Sequence, residues 1–401
     1  MAKRKIQKPT RFERMYKVWD YLRKNTDRRH PTSIAKMRKD ENINAYIGDK
    51  ETINRLLKDM ANIMNLEDGG SDYKPEAEWR LYFDDFKKFY GDKERYERDD
   101  SDEDDSYIAN VMRIKNLYYN RTFSEKEVDS IIEGIMATRT LDSKSAQELV
   151  RKVEDNMTTA FYKRTPRHIC KVQEPELADR ELLKDNLAII QKAIDDNVRI
   201  QFRFNGYSYE KKLEPVREES DELSPYYIVA SGGKYYLLAA KEYEGYKPNM
   251  SIWRIDLMTD IEIPGRNDRL HIKGIPRIPK KNVSNLPEKW SEDFQLKHLN
   301  MSFDKPVPVT LRIKSEKCED NPKKRVRPGY TFLHDWFGDS FTYIRTEPKP
   351  PYDDIVRVEC SPYGMAHWAL QYSELVEVLE PESLREDIKS KIKALNEKYS
   401  L

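Results

Sequence analysis

The sequence predicts an α+β protein built from several domains. With 401 residues the chain is too long for one compact core. Apolar residues recur at helical spacing near the N-terminus, whereas from Val198 onward they alternate with a period of two. The last hundred residues mix both patterns, as α+β domains do.

The N-terminal segment has the pattern of three helices. Apolar side chains form one stripe along residues 11–25. Thr32 or Ser33 can cap a short second helix, and Asp49 can cap a third over residues 50–60.

A hairpin is expected after these helices. Residues 66–72 are turn-forming and residues 78–83 are strand-like. Three helices followed by a hairpin is the order of a winged helix-turn-helix, which we predict for residues 1–83.

The next segment, residues 84–106, is strongly acidic. Its run at residues 99–105 consists of Asp, Glu and one Ser and cannot pack against apolar groups. We expect a solvated linker, with metal binding as the alternative.

Helical patterning then returns. Ser124 and Glu127 form a capping box that opens one helix, and further helices are predicted near residues 146–157 and 177–196.

Strands are predicted from Val198 to about Ile263, enough for a small antiparallel barrel. Asn205-Gly206 is a hairpin signal. Residues 231–234, Ser-Gly-Gly-Lys, lack the spacing of a phosphate-binding loop, so we predict another hairpin turn there.

The C-terminal part begins with a Pro- and Lys-rich stretch, which we predict to be a linker over residues 266–299. An α+β domain is predicted after it. Its strands are expected at residues 307–313, 341–345, 355–359 and 375–380, and its helices at residues 365–372 and 382–399.

Charge is unevenly distributed along the chain. Residues 1–65 hold 17 Lys and Arg against 8 Asp and Glu, a net charge of +9, while the whole chain nets +1. A basic N-terminal end suggests a polyanionic partner for that end, and a solvated basic surface is the alternative.

Other function classes find little support. The three cysteines are far apart and form no CxxC pair, which fits a cytoplasmic protein. No apolar run is long enough to span a bilayer, and the basic N-terminus has no apolar core behind it. No nucleophile, metal-ligand or cofactor motif is present, so we expect no enzyme, no metal and no cofactor.

The helix over residues 50–60 is the strongest candidate for DNA contact. Arg and Asn can pair with base edges, while Lys and Thr usually hold phosphates. An ordinary amphipathic surface helix is the alternative. The predicted DNA-binding residues are Thr32, Ser33, Lys50, Thr52, Asn54, Arg55 and Lys58.

Residues 235–237, Tyr-Tyr-Leu, followed by Trp253-Arg254-Ile255-Asp256, resemble the signature of the WYL domain. Residues 361–372 and the helix opening at Pro381 are similar to the C-terminal extension of WYL-domain transcriptional regulators. The resemblance extends over nearly the whole chain. It implies a winged helix-turn-helix at 1–83, an acidic linker at 84–106, a helical connector at 107–176, an SH3/Sm-like WYL barrel at 177–265, a linker at 266–299 and a C-terminal extension domain at 300–401.

The resemblance also implies a homodimer that binds operator DNA and senses a nucleic-acid or nucleotide-like ligand. Ligand contact is expected from Arg203, Ser231, Lys234, Tyr236 and Arg254, with Asp256 holding Arg254 in place. Tyr235 and Trp253 are expected in the barrel core. The chain departs from the family at Ser251 and Leu257, where basic residues are common.

We therefore predict a cytoplasmic DNA-binding transcriptional regulator that is controlled by a ligand of its WYL domain. The rival hypothesis is a non-transcriptional accessory protein that binds RNA or single-stranded DNA and modulates an effector complex. Preference for duplex over single strand separates the two.

Overall fold

The computed structural model of the chain describes residues 9–67, 73–84, 113–138, 141–163, 180–314, 317–318, 321–325 and 329–399. Contacts divide the chain into two units, Met1–Glu176 and Leu177–Leu401. Both units combine helices with antiparallel strands. The predicted class, an α+β protein of more than one body, is confirmed. Nearly all of the acidic segment lies outside the described residues.

Four helices open the first unit: α1 (Arg11–Asn25), α2 (Ile34–Lys39), α3 (Asn44–Ile47) and α4 (Lys50–Asn65). Ser33 Oγ accepts a hydrogen bond from the backbone N–H of Lys36, and Asp49 Oδ1 accepts one from that of Thr52. These side chains satisfy backbone donors that a helix start leaves unpaired. The three predicted helices are confirmed, and α3 is an addition too short to show periodicity.

The core of this unit joins α1 and α4 to a small sheet. Val18, Leu22, Leu57 and Met60 are fully buried in one cluster. Residues from two distant stretches, including Phe83 and Leu117, complete the same cluster.

The sheet of the first unit differs from the predicted hairpin. Strand β1 (Leu81–Tyr82) pairs antiparallel with β2 (Tyr118–Tyr119), and Thr32 forms a bridge with Leu117. The partner of the strand at 81–82 therefore follows the acidic segment instead of preceding it. Such a pairing is not local, and sequence patterns report only local structure.

Two further helices, α5 (Glu125–Ala137) and α6 (Ser143–Met157), follow in the first unit. The capping box of Ser124 and Glu127 is present as predicted. The helices pack through Val128, Ile132 and Val150.

The second unit begins with α7 (Arg180–Asp196) and a six-stranded antiparallel sheet. The strands are β3 (Ile200–Tyr207), β4 (Leu213–Pro215), β5 (Asp221–Ser231), β6 (Lys234–Tyr243), β7 (Tyr246–Arg254) and β8 (Met258–Glu262). Their order is β4-β3-β5-β6-β7, and β8 pairs with β3. Ile190 and Ala193 of α7 are buried against this sheet.

One turn prediction in this sheet is wrong and another is confirmed. Asn205 and Gly206 lie inside β3, because the buried Asn205 side chain donates to the carbonyl oxygen of Leu257 at 3.0 Å and holds the strand in place. Gly232 and Gly233, both with positive φ, form the predicted two-residue turn between β5 and β6.

The stretch predicted as a linker at residues 266–299 packs against the sheet instead of lying free. Ile278 and Val283 are buried beside Tyr226, whose hydroxyl donates to the carbonyl oxygen of Ile278 at 2.7 Å. Its short helix α8 (Phe294–Lys297) buries Phe294. Proline-rich composition hid the few apolar residues that anchor this stretch.

A second antiparallel sheet and a short hairpin follow, with strands β9 (Val307–Ile313), β10 (Lys317–Cys318), β11 (Asn321–Arg325), β12 (Thr342–Thr346), β13 (Asp354–Cys360) and β14 (Val376–Glu380). The sheet has the order β12-β13-β9-β14, and β10 and β11 form the hairpin. The helices are α9 (Thr331–Phe337), α10 (Pro362–Gln371) and α11 (Glu382–Tyr399).

Buried side chains of α9, α10 and α11, such as Phe337, Trp368 and Leu384, join one cluster with the sheet. Strands and helices of the four-stranded sheet follow the β-α-β-β-α-β order of ferredoxin-like folds. The structure thus agrees with the α+β pattern predicted for this region and adds the order of its strands and helices.

Among the helices that the structure describes, none is both long and apolar enough to cross a membrane.

Candidate nucleic-acid interface and sensing face

Helix α4 presents one polar face to solvent. Asp49 fixes its first turn, and the apolar residues recur at helical spacing toward the core. Lys50, Thr52 and Arg55 are exposed on the opposite side. Arg55 pairs with Glu51 at 2.7 Å, with both side chains about half exposed. An exposed pair of this kind is worth about 0–1 kcal/mol, so Arg55 can exchange it for a phosphate or a base edge.

A groove of about 560 Å³ lies between the first turns of α1 and the exposed side of α4. Four cationic side chains and one carboxylate line it, so its net charge is positive. We call it the α1–α4 groove, and its lining residues are Arg11, Arg14, Thr52, Arg55, Leu56, Lys58 and Asp59.

Arg11 and Arg14 were missed in the sequence. Arg11 pairs with Asp59 of α4, and Arg14 donates from Nε to the carbonyl oxygen of Pro9 at 3.3 Å. A signal for them did exist. Basic residues in the first turn oppose the helix dipole, so their presence there suggests a use other than stability.

Two predicted DNA contacts are not supported by the structure. Asn54 is fully buried on the core side of α4, so its amide does not face solvent. Thr32 is also buried, because its backbone bridges to Leu117, and Ser33 caps α2 in its place. Helical spacing alone did not tell a buried polar residue from an exposed one.

Four of the five predicted ligand residues lie on one face of the second unit. Ser231 pairs directly with Lys234, and Tyr236 pairs directly with Arg254. Directly opposed residues share a face, as do residues two apart along a strand. Since Lys234 and Tyr236 are two apart on β6, all four belong to one surface, which we call the sensing face.

Arg254 is held rigidly at the edge of the sensing face. Its Nε and Nη2 donate to the Asp256 carboxylate at 3.1 and 2.5 Å, as predicted. Burial lowers the pKa of Arg254, but the hydrogen bonds and charge of Asp256 outweigh this, so the pKa is raised overall. The guanidinium is thus a fixed cation that still exposes 30% of its side chain.

Tyr207 was missed as a neighbour of Arg254. It is 48% exposed at the end of β3, and its hydroxyl contributes to the electrostatic environment of Arg254. The wrong turn at Asn205-Gly206 hid it, because that turn would have directed Tyr207 into a different strand.

Arg203 does not join the other predicted ligand residues. It pairs with Thr259 of β8 and lies 3.8 Å from the Asp260 carboxylate. The strand that carries it is not hydrogen-bonded to β6 or β7.

The aromatic residues of the signature divide as predicted. Tyr235 and Trp253 pack against the core between α7 and the sheet, and Trp253 meets Phe202 edge-on at 5.6 Å. Ser251 accepts a hydrogen bond from the Trp253 indole N–H at 2.7 Å, so it positions this ring. Leu257 is buried. Both departures from the family pattern therefore serve packing in this chain.

Within the described residues, no group of three or more His, Cys, Asp or Glu side chains is placed to hold a metal ion.

Comparison with known proteins gives one family match. Residues 305–395 match the model of the WCX domain, a part of the chain that contains the four-stranded sheet. No curated protein matches.

Solved structures that match include proteasome accessory factor B/C (PafBC) of Arthrobacter aurescens, with 17% identity and a TM-score of 0.23 over 72% of this chain and 39% of that one. A CRISPR Cas-related protein matches with 13% identity and a TM-score of 0.30, over 74% of this chain and 77% of that one. The aligned part spans well under half of the PafBC chain. At TM-scores this low, neither likeness bears on function.

The WCX match lies inside the C-terminal extension that the sequence resemblance placed at residues 300–401. The C-terminal part of the chain is therefore similar to a WCX domain, at the place where the sequence predicted a C-terminal extension domain.

Proposed function

We propose that the chain is a DNA-binding transcriptional regulator whose operator binding is controlled by a nucleic-acid or nucleotide-like ligand. The α1–α4 groove carries this proposal. It brings Arg11, Arg14, Arg55 and Lys58 to one surface, with Asp59 as its one lining carboxylate. Such a surface fits the phosphate backbone, and the exposed side of α4 fits the major groove.

As part of this proposal, we assign the first unit to the winged helix-turn-helix class, and its element order supports the assignment. Helices α1, α2 and α4 are followed by the paired strands β1 and β2, and Thr32 bridges to Leu117, which directly precedes β2. In this assignment α4 is the recognition helix. We further propose that two copies act as a homodimer on a palindromic operator.

The sensing face supports the second half of the proposal. Arg254 offers a fixed cationic fork for a phosphate, while Tyr236, directly opposite it, offers a ring and a hydroxyl. An SH3/Sm-like barrel, as the resemblance implies, would present this face on β5, β6 and β7. The proposed role is binding and switching, without catalysis.

Duplex binding by the intact chain tests the proposal. A duplex enriched from a random library should bind more tightly than either of its single strands. Neutralising four phosphates predicts a slope of log affinity against log salt of about −3 to −4 per chain, at roughly −0.9 per phosphate. Preference for the single strand would support the accessory-protein alternative and contradict the proposal.

A further inference from the structure

One short stretch of the second unit packs against both its six-stranded and its four-stranded sheet. We define the strap as residues 294–304. Phe294 and Met301 of the strap are buried in one cluster with Val229, Leu238 and Met250, on the side of β6 that carries Tyr236. Leu299 of the strap is buried in the cluster of the C-terminal sheet.

The strap is bonded to the start of helix α10. The backbone N–H of Ser361, the cap residue, donates to the carbonyl oxygen of Lys297 at 2.7 Å, and the Ser361 hydroxyl contacts that of Ser302. Asp304 accepts from the backbone N–H of Tyr363 at 2.9 Å. A movement of the strap would therefore break bonds at the cap of α10.

The fit between the strap and α10 leaves no spare space. A Cβ on Gly364 would lie 2.7 Å from the carbonyl oxygen of Leu299 and 2.8 Å from Ser302 Oγ. Inside the strap, the Nδ1–H of His298 donates to the carbonyl oxygen of Ser302 at 2.7 Å, and burial lowers the pKa of His298. The strap and the first turn of α10 must move together.

The strap backbone is strained near Met301, the residue that packs into the cluster with Tyr236. Asn300 and Met301 have φ values of 54° and 56°. The left-handed region is costly for a residue such as Met, and such strain persists only where packing enforces it. Release of the Met301 side chain from its cluster would let this backbone relax.

We propose that the strap is the relay between the sensing face and the C-terminal domain. Tyr236 stands directly opposite Arg254 and shares a cluster with Met301. A ligand that draws Tyr236 toward Arg254 loosens the packing around Met301. The strap then shifts, and its hydrogen bonds to the cap of α10 weaken. This relay rests on the proposed ligand site for its trigger, while the coupling itself is a property of the ligand-free chain.

Hydrogen exchange on the full-length chain without ligand tests the coupling. Met301→Ala should speed exchange severalfold both in residues 236–238 and in residues 361–366. The matched control is Met258→Ala, which removes another buried methionine, on the other side of the sheet, and should leave exchange in residues 361–366 unchanged. Asn300→Gly accommodates the left-handed backbone and should slow exchange at both places.

Acceleration in residues 236–238 alone would overturn the relay, and so would an equal response to Met258→Ala. Should Met301→Ala fail to fold, Asn300→Gly is the test. Slower exchange in both residues 236–238 and residues 361–366 supports the relay, and a change at only one of the two places overturns it.

A separate arm adds a twelve-nucleotide oligothymidylate to the wild-type chain. Binding that survives Arg254→Ala would contradict the proposed sensing face and leave the ligand-free result to decide the relay. Binding that alters exchange in residues 361–366 in wild type but also in Met301→Ala would overturn the relay alone.

Discussion

At the scale of single residues, the position of an arginine in the fold distinguishes a ligand contact from an ordinary surface charge. Arg254 and Arg203 were both expected to bind the ligand, yet only Arg254 lies on the sensing face with Ser231, Lys234 and Tyr236. Arg254 is also the one of the two arginines that a buried carboxylate holds rigidly. Arginine type alone therefore does not identify the ligand contact.

This difference predicts distinct effects for the two arginines. Arg254→Ala should weaken oligothymidylate binding by about tenfold or more, because a charge-assisted contact to phosphate is lost. Arg203→Ala, with its weaker ion pair to Asp260, should bind nearly as wild type. Fluorescence anisotropy on the intact chain measures both affinities. Equal losses of affinity in the two variants would contradict the assignment of Arg254, and not Arg203, to the ligand site.

Asp49 makes a residue-scale prediction about pH. Hydrogen bonds from the backbone N–H and side chain of Thr52 lower the pKa of Asp49. Its stabilising contribution is therefore complete above the unfolded pKa and lost as the pH falls through the lower folded value. Asp49→Ala should reduce the Tm at pH 7, and the gap to wild type should close in acid.

Asp49→Asn is the control for this experiment, because an asparagine keeps the cap without the charge. Its Tm at pH 7 should lie above that of Asp49→Ala. Thermal unfolding followed by circular dichroism gives all the values. A gap between wild type and Asp49→Ala that widened in acid would contradict the role assigned to this carboxylate.

At the scale of elements, local signals were sufficient where a few neighbouring residues decide the structure. Ser33, Asp49 and Ser124 cap helices as expected, and Gly232-Gly233 makes the expected turn. Each of these features depends on side chains or backbone angles within four residues.

Elements that depend on distant partners were not predictable in this way. Asn205 stays in a strand because its amide bonds to residue 257, and Thr32 is buried because its backbone pairs with residue 117. The strand at 81–82 likewise has a distant partner, because it pairs with residues 118–119 after the acidic segment. A single sequence holds no signal for contacts at these separations.

The β1–β2 pairing predicts that the acidic segment is an insertion in one sheet. The Asp84 backbone N–H donates to the carbonyl oxygen of Lys115 at 3.1 Å, and the Asn116 amide donates to the Asp84 carboxylate at 2.9 Å, so the two ends of the insertion meet. Replacement of residues 86–112 by a short Gly-Ser turn should therefore preserve the Tm within a few degrees.

Removal of residues 78–84 in addition takes away β1 and is the control, since it deletes the buried Leu81 and Phe83. That variant should unfold at a clearly lower temperature. A large loss of Tm in the turn replacement would show that the insertion itself supports the fold.

At the scale of the whole molecule, the chain combines the α1–α4 groove, the proposed DNA-binding surface, in the first unit with the proposed sensing face and the strap in the second. The α+β fold class was predictable, because helical and alternating periods are strong local patterns, and the WCX match at residues 305–395 lies where a C-terminal extension domain was predicted. The residues that make up the α1–α4 groove and the sensing face were predictable only in part. Arg11 and Arg14 join the α1–α4 groove through folding, whereas Asn54 and Thr32 are buried away from solvent.

The central claim is that the exposed side of α4 and the α1–α4 groove bind duplex DNA. Its most direct test compares Arg55→Ala with Arg151→Ala, an equally simple loss of an exposed arginine on α6. Arg55→Ala should weaken binding of the enriched duplex by about tenfold or more, with the fold intact, as expected for a lost base or phosphate contact. Arg151→Ala should bind as wild type. Undiminished duplex binding by Arg55→Ala, or an equal loss in both variants, would contradict the claim.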